Sequence, residues 1–324
     1  MEKYGIIIGL LIILSFIYLK VADHFDIIDK PNHRSSHTTP TIRGGGIVFL
    51  FALWIFFFTS NYSYPYLVLG TTLIAVVSFI DDIKTLSSSI RFPFQILAIL
   101  LIMQQMQFSA LPWWGIAVLL FIGVGFVNLY NFMDGINGIT GMYSLAVFSG
   151  MYIVNQETEI VNQDLILIVV ISVVIFGFFN FRKKARCFAG DIGSISIAVM
   201  LFFIGASLVY NLQAPVLILF AVVYGADSIQ TMMYRKYLGE KITEPHRHHI
   251  YQKLVDINKT PHLMVSAGYA VLQLLINGIV FMTYKKAIDI QLIVFLSVVV
   301  FLVCIYIALF LYLDKKKSME HLYC

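Results

Sequence analysis

ARCFAGDIGSISIAVMLFFIGASLVY, residues 185–210, decides the fold. A polar island, Ala185 to Ser194, runs directly into an apolar stretch, 194–210, that carries no charge. At about 1.5 Å of rise per residue, a helix of this kind approaches the thickness of a bilayer's hydrocarbon core. The same junction occurs at Asp81-Asp82, in the run Asn128 to Asn137, and at His246-Arg247-His248-His249. Carboxylates, amides and histidines beside membrane helices are costly, so they usually carry function. Together these islands can hold a divalent metal and a phosphorylated substrate against a membrane surface. That combination points to an enzyme joining a soluble nucleotide-linked group to a lipid.

The rest of the chain has the same character. Its 324 residues are 59% hydrophobic and 12% charged, with mean hydropathy +0.85, whereas soluble domains are about 25% charged. A window of about 19 residues gives about eleven candidate helices, near 4–22, 46–60, 65–80, 93–108, 112–128, 139–155, 163–180, 194–210, 214–233, 264–284 and 290–313. The expected fold class is all-α, a polytopic integral membrane helical bundle of about 11 transmembrane helices, forming a single domain over residues 1–324. The net charge of +4 is too small and too dispersed for nucleic acid.

The basic residues order the loops. All 22 Lys and Arg residues fall in alternate connections except Lys3, Lys285 and Lys286. The positive-inside rule puts the basic connections in the cytoplasm, the N-terminus outside, and the C-terminus and every polar island inside. The first apolar run lacks a small-x-small cleavage site, since Leu19-Lys20-Val21-Ala22-Asp23 follows it, so it reads as a retained helix. Cys187, Cys304 and Cys324 have no paired spacing and imply neither a disulfide frame nor a zinc site.

Each island has its own chemistry. Asp81 and Asp82 are adjacent, hence about 100° apart on a helix, so one can face a metal or phosphate while a basic partner holds the other. Asn128, Asn131 and Asp134, three apart, share one helix face, and Gly135 and Gly138 free the backbone beyond them. Converging amide and carboxylate oxygens suit a hard cation or a nucleoside base. Gly190-Asp191-Ile192-Gly193-Ser194 opens a helix whose positive end suits a metal–pyrophosphate, although Asp191 or Ser194 could equally cap that helix. His246, Arg247, His248 and His249 can bind phosphate or hold a sugar; without cysteines or a second cluster they make a poor zinc site. Arg34 and Arg43, in the first basic loop, are anion contacts, and Gly44-Gly45-Gly46 could offer backbone donors to a phosphate or let helices pack closely.

At these stretches the chain resembles the polyprenyl-phosphate N-acetylhexosamine-1-phosphate transferases. The resemblance rests on PNHRSSHTTPTIRGGG (31–46), SFIDD (78–82), NLYNFMDGINGITG (128–141), ARCFAGDIGS (185–194) and HRHHIYQKL (246–254), in the family's order. It is nearest to the O-antigen-initiating branch, whose last loop has a His-Arg-x-His-x-Tyr-Gln pattern. The resemblance implies transfer of a sugar 1-phosphate from a UDP-N-acetylhexosamine to undecaprenyl phosphate at the bacterial inner (plasma) membrane. It also implies Mg2+ (or Mn2+), and relatives are commonly homodimeric. By matching positions, Asn131 and Asp191 contact the metal, and Asp81, Asp82 and Asp134 serve the chemistry. Arg34, Arg43, Asn128, Asn137, His246, Arg247, His248 and His249 bind substrate. Asn137 occupies the uracil-recognising position, and the family often has an acid where Thr85 and Asn137 stand here. The rival class is a transporter, which should carry polar groups near mid-bilayer; here Asp227 is the main such residue. A passive scaffold leaves the islands unexplained.

Overall fold

The computed structural model describes residues 2–31, 39–108, 111–241 and 247–323, with side chains as far as Met319. The helices, in chain order, are α1 (Glu2–His24), α2 (Ile47–Thr59), α3 (Pro65–Ile83), α4 (Ser88–Gln105), α5 (Trp113–Phe132) and α6 (Ile139–Thr158). There follow α7 (Gln163–Asn180), α8 (Gly190–Leu212), a 3-10 turn (Pro215–Ala221) leading into α9 (Val222–Tyr237), then α10 (Ile250–Asp256), α11 (His262–Thr283) and α12 (Ile288–Tyr323). Every apolar segment expected from the sequence is a helix. Eight helices among the described residues are long and apolar enough to cross a membrane, the 3-10 turn and α9 counting as one. Of the other expected crossings, α2 has only 13 residues, while α4 and α6 are long enough but more polar. The protein is thus an all-α, multi-pass membrane bundle.

α8 is the hub. It is apolar all round because it is enclosed all round: 83% of its span is buried, and it packs against α2, α3, α5 and α6. α12 and α5 lie at the other extreme, 17% and 22% buried, and present Trp113, Phe121 and Leu311 outward. In a bilayer such faces meet lipid, so their exposure costs nothing.

Two short strands, β1 (Ile28–Asp29) and β2 (Thr41–Ile42), pair antiparallel, with Ile28 opposite Ile42. β2 then attaches to the chain entering α8. Ile42 bridges Cys187 in parallel, the Phe188 amide donates to the Ile42 carbonyl, and the Gly45 and Gly46 amides donate to the Phe188 and Ala189 carbonyls. This seam explains the glycines. A Cβ on Gly46 would lie 2.4 Å from the Gly193 Cα, and one on Gly45 would lie 2.4 Å from the Cys187 Sγ. Of the two uses the sequence offered, close packing is the one observed: the Gly45 and Gly46 donors are already spent.

Candidate active site

The end of α3 meets the start of α8. Asp82, whose side chain has no exposed surface, accepts from the Asp191 amide at 3.0 Å and the Ile192 amide at 3.1 Å. α8 has no side-chain cap of its own at Ala189. A carboxylate from another helix satisfies its first amides and faces its positive end, so neither Asp191 nor Ser194 is needed as a cap. The Arg43 Nε approaches the same Asp82 carboxylate to 2.8 Å, and its Nη2 lies 3.8 Å from Asp191.

Asp81 diverges, as adjacent helical residues must. It accepts from the Leu86 amide at 2.5 Å and from the Arg91 Nη1 at 2.8 Å. The same Arg91 nitrogen lies 3.3 Å from Asp191. Both acids of the pair are therefore held by arginines, where the sequence suggested only one would be. Arg91 was not singled out as a site residue. Its only signal was that it is the one charge in α4, and its role depends on the α3–α4 hairpin folding it back.

Asn131 and Asp134, near the end of α5, form the opposite wall. The Ser194 hydroxyl donates to the Asn131 Oδ1 at 2.5 Å, and Ser194 lies one turn beyond Asp191, which brings Asn131 to the same end of α8. Asp134 accepts from the Thr140 hydroxyl at 2.6 Å. Burial pushes its carboxyl up to about 6; the nearby Asp191 charge adds to this, and the Thr140 bond and Arg43 oppose it. Thr140 is a second residue that sequence reasoning passed over.

The other expected residues that the structure describes have partners of their own. Asn128 pairs reciprocally with Gln95, at 2.9 and 3.1 Å, and donates to the Val124 carbonyl. Asn137 donates to the Arg182 and Lys183 carbonyls at 2.9 and 3.2 Å, and its own carbonyl accepts from the Ser266 hydroxyl. It thereby ties two connections and α11 together. Arg247 makes a two-pronged bond with Asp256, both at 2.8 Å. The His248 Nε2 lies 3.0 Å from Glu240, and the His249 Nδ1 lies 3.1 Å from Asp227. These three are held on or before α10, which docks on the cluster through Tyr251: its hydroxyl donates to the Phe132 carbonyl at 3.1 Å. Arg34 and His246 lie outside the described residues.

Four carboxylates (Asp81, Asp82, Asp134, Asp191) and two guanidiniums (Arg43, Arg91) thus share one pocket of charge. Among the described residues no group of three His, Cys, Asp or Glu side chains is disposed to hold a metal by itself. Mg2+ rarely asks for that: it takes one or two protein oxygens and fills its shell with substrate and water. A surplus of carboxylate over guanidinium, with an amide oxygen beside Asp191, fits such a cation.

Comparison with known proteins agrees with this arrangement. Residues 64–209, which contain Asp81, Asp82, Arg91, Asn131, Asp134 and Asp191, match the model of glycosyl transferase family 4. A probable undecaprenyl-phosphate N-acetylglucosaminyl 1-phosphate transferase of Bacillus subtilis is 23% identical over 283 residues, 80% of this chain and 78% of the relative. The undecaprenyl-phosphate alpha-N-acetylglucosaminyl 1-phosphate transferase of Salmonella typhi is 24% identical over 281 residues, 79% and 74% of the two chains. A phospho-N-acetylmuramoyl-pentapeptide-transferase of Streptococcus pneumoniae is 28% identical over 258 residues, 68% and 76%. Over residues 64–209 this chain is thus similar to glycosyl transferase family 4, and along most of its length to sugar-1-phosphate transferases of undecaprenyl phosphate.

Proposed function

We propose that the protein transfers a sugar 1-phosphate of the N-acetylhexosamine type from a UDP-sugar to undecaprenyl phosphate, at the cytoplasmic face of the bacterial plasma membrane. One observation carries the reading: Asp81, Asp82 and Asp191 converge with Arg43 and Arg91 where α3 meets α8. A transporter should instead place such groups at mid-membrane beside a broken helix. Relatives with both N-acetylglucosaminyl and N-acetylmuramoyl-pentapeptide names align with this chain. The His-Arg-x-His order at 246–249 favours the simpler sugar.

In the reaction, an oxygen of the lipid phosphate bonds to the β-phosphorus of the UDP-sugar. The bond from that phosphorus to the bridging oxygen breaks, and UMP leaves. Asp191 and Asn131 would hold Mg2+ or Mn2+, which when bound offsets charge on the diphosphate and on the departing phosphate. Arg43 and Arg91 bring fixed positive charge to the same place, and Asp82 and Asp81 keep each guanidinium aimed. Because both of those acids are already engaged by arginine and amide donors, direct attack by the lipid phosphate is favoured over an aspartyl-phosphate. A phosphate monoester with a second pKa of about 6 is largely dianionic near neutrality and needs no strong base. Asp134, with its carboxyl pushed up to about 6, is matched to take the residual proton. Arg247, His248 and His249 face the sugar and its phosphate.

Purified protein, undecaprenyl phosphate and a panel of UDP-sugars, followed for UMP release, test the proposal. A transporter or scaffold releases none. Exchange of labelled UMP into UDP-sugar without lipid would argue for the covalent route.

A further inference from the structure

The buried acid Asp227 stood out in the sequence without a role. Its environment now gives one. Asp227 is 3% exposed, on α9, and receives donors from its own helix and from two other elements. The Ile250 amide reaches its Oδ1 at 3.2 Å, the Thr231 hydroxyl the same oxygen at 3.2 Å, and the Tyr269 hydroxyl its Oδ2 at 2.5 Å. Thr231 is in turn bonded to Tyr306 of α12 at 2.8 Å. The His249 Nδ1 completes the set at 3.1 Å.

A carboxylate so filled by donors can only accept. The His249 side chain also lies within reach of the Gln252 amide in the capping box that opens α10, a bond that an unprotonated nitrogen would accept. Asp227 decides between these: a carboxylate accepts, so the proton sits on Nδ1 and points at it, while Nε2 is buried beneath the surface. The His249 ring stacks on Tyr251 at 5.5 Å between centroids, and the Tyr251 hydroxyl is bonded to Phe132, two residues before Asp134. Gly135 leaves room for that hydroxyl, since a Cβ there would lie 2.2 Å from it. The imidazole is thus fixed by α9 on one side and by the central motif on the other.

We infer that Asp227 is a positioning residue of the transferase: with Tyr269 and Thr231 it sets the tautomer and orientation of His249, and so seats the last loop against the central motif. This rests on the transferase reading above. It assigns the Asp227 site, rather than the histidine run alone, as what makes the last loop competent.

The test is a double-mutant cycle with an independent spectroscopic arm. Asp227→Asn should lower kcat/KM for the UDP-sugar by about 10- to 100-fold, because a slightly misplaced group costs that much, while monodispersity and melting midpoint stay close to those of the unsubstituted protein. In a His249→Gln background the same substitution should cost less than about 2-fold, since coupled residues are not additive. Full additivity would overturn the inference and leave Asp227 a merely structural residue. The other arm uses 15N-histidine-labelled protein in nanodiscs, with the His249 signals assigned by their loss in His249→Gln. Proton on Nδ1 is the expected result; an unprotonated Nδ1 acting as the α10 cap overturns the inference even if Asp227→Asn fails to fold. Should the unsubstituted protein release no UMP, the transferase reading falls, and the nitrogen spectrum still decides where the proton sits.

Discussion

Asp191 is approached by both guanidiniums, Arg91 at 3.3 Å and Arg43 at 3.8 Å, and Ser194, bonded to Asn131, lies one turn beyond it. Asp191→Asn should cut UMP release by at least about 100-fold, the scale of losing one electrostatic group in a closed site, while the protein still inserts and elutes normally. EDTA should stop the unsubstituted enzyme, and Mg2+ or Mn2+ should restore it. Asp134 gives a pH signature. Its carboxyl is raised from the usual 3.8 to about 6 by burial, so folding favours its protonated form. The stability this brings is complete below about pH 4 and is lost as pH rises through about 6, amounting to about 3 kcal/mol for a shift of about two units. In EDTA, Asp134→Asn should therefore melt higher than the unsubstituted protein above pH 6, with the gap closing toward pH 4; equal melting curves at pH 7.5 would contradict the shift. The acids of this cluster were readable from sequence because a charge beside a membrane helix has few innocent explanations. Arg91 and Thr140 were not, because what each does depends on a residue brought to it by folding: ten positions away for Arg91, six for Thr140.

Among the helices, the apolar runs were legible because length and hydropathy alone define them. α10 and the 3-10 turn before α9 were not: seven residues each, they are held by tertiary bonds rather than by period. Close packing between elements supplies two tests. A methyl at Gly46 would meet the Gly193 Cα at 2.4 Å, and one at Gly193 would meet the Gly46 Cα at 2.6 Å. Either Gly→Ala change should destabilise the α2–α8 contact by about 1–3 kcal/mol, the usual cost of overpacking, read as a lower melting midpoint in detergent. Between α4 and α5, Asn128→Leu strands the buried Gln95 amide and should cost about 1–3 kcal/mol. Adding Gln95→Leu should recover most of that. If the recovered double variant turns over normally, Asn128 serves packing only; if it is stable but inactive, the amide also serves substrate.

For the molecule as a whole, the charge pattern made the end bearing the site legible before any helix was placed. Single cysteines at Lys286 and at Lys317, in a Cys-free background, should label from outside and only after permeabilisation, respectively; the reverse would invert the orientation and place the site on the wrong side for a nucleotide donor. The way α8 begins has a consequence for how the protein is made. Its first amides are neutralised not by neighbours in sequence but by Asp82, more than a hundred residues earlier, and the loop carrying His249 arrives later still. A nascent chain halted before residue 190 leaves Asp82 with Arg43 but without the two amides it accepts from, and one halted before residue 250 lacks its last wall. Catalytic competence therefore comes only with the final quarter of synthesis. An interrupted copy is thus inert toward the lipid carrier rather than a leaky enzyme.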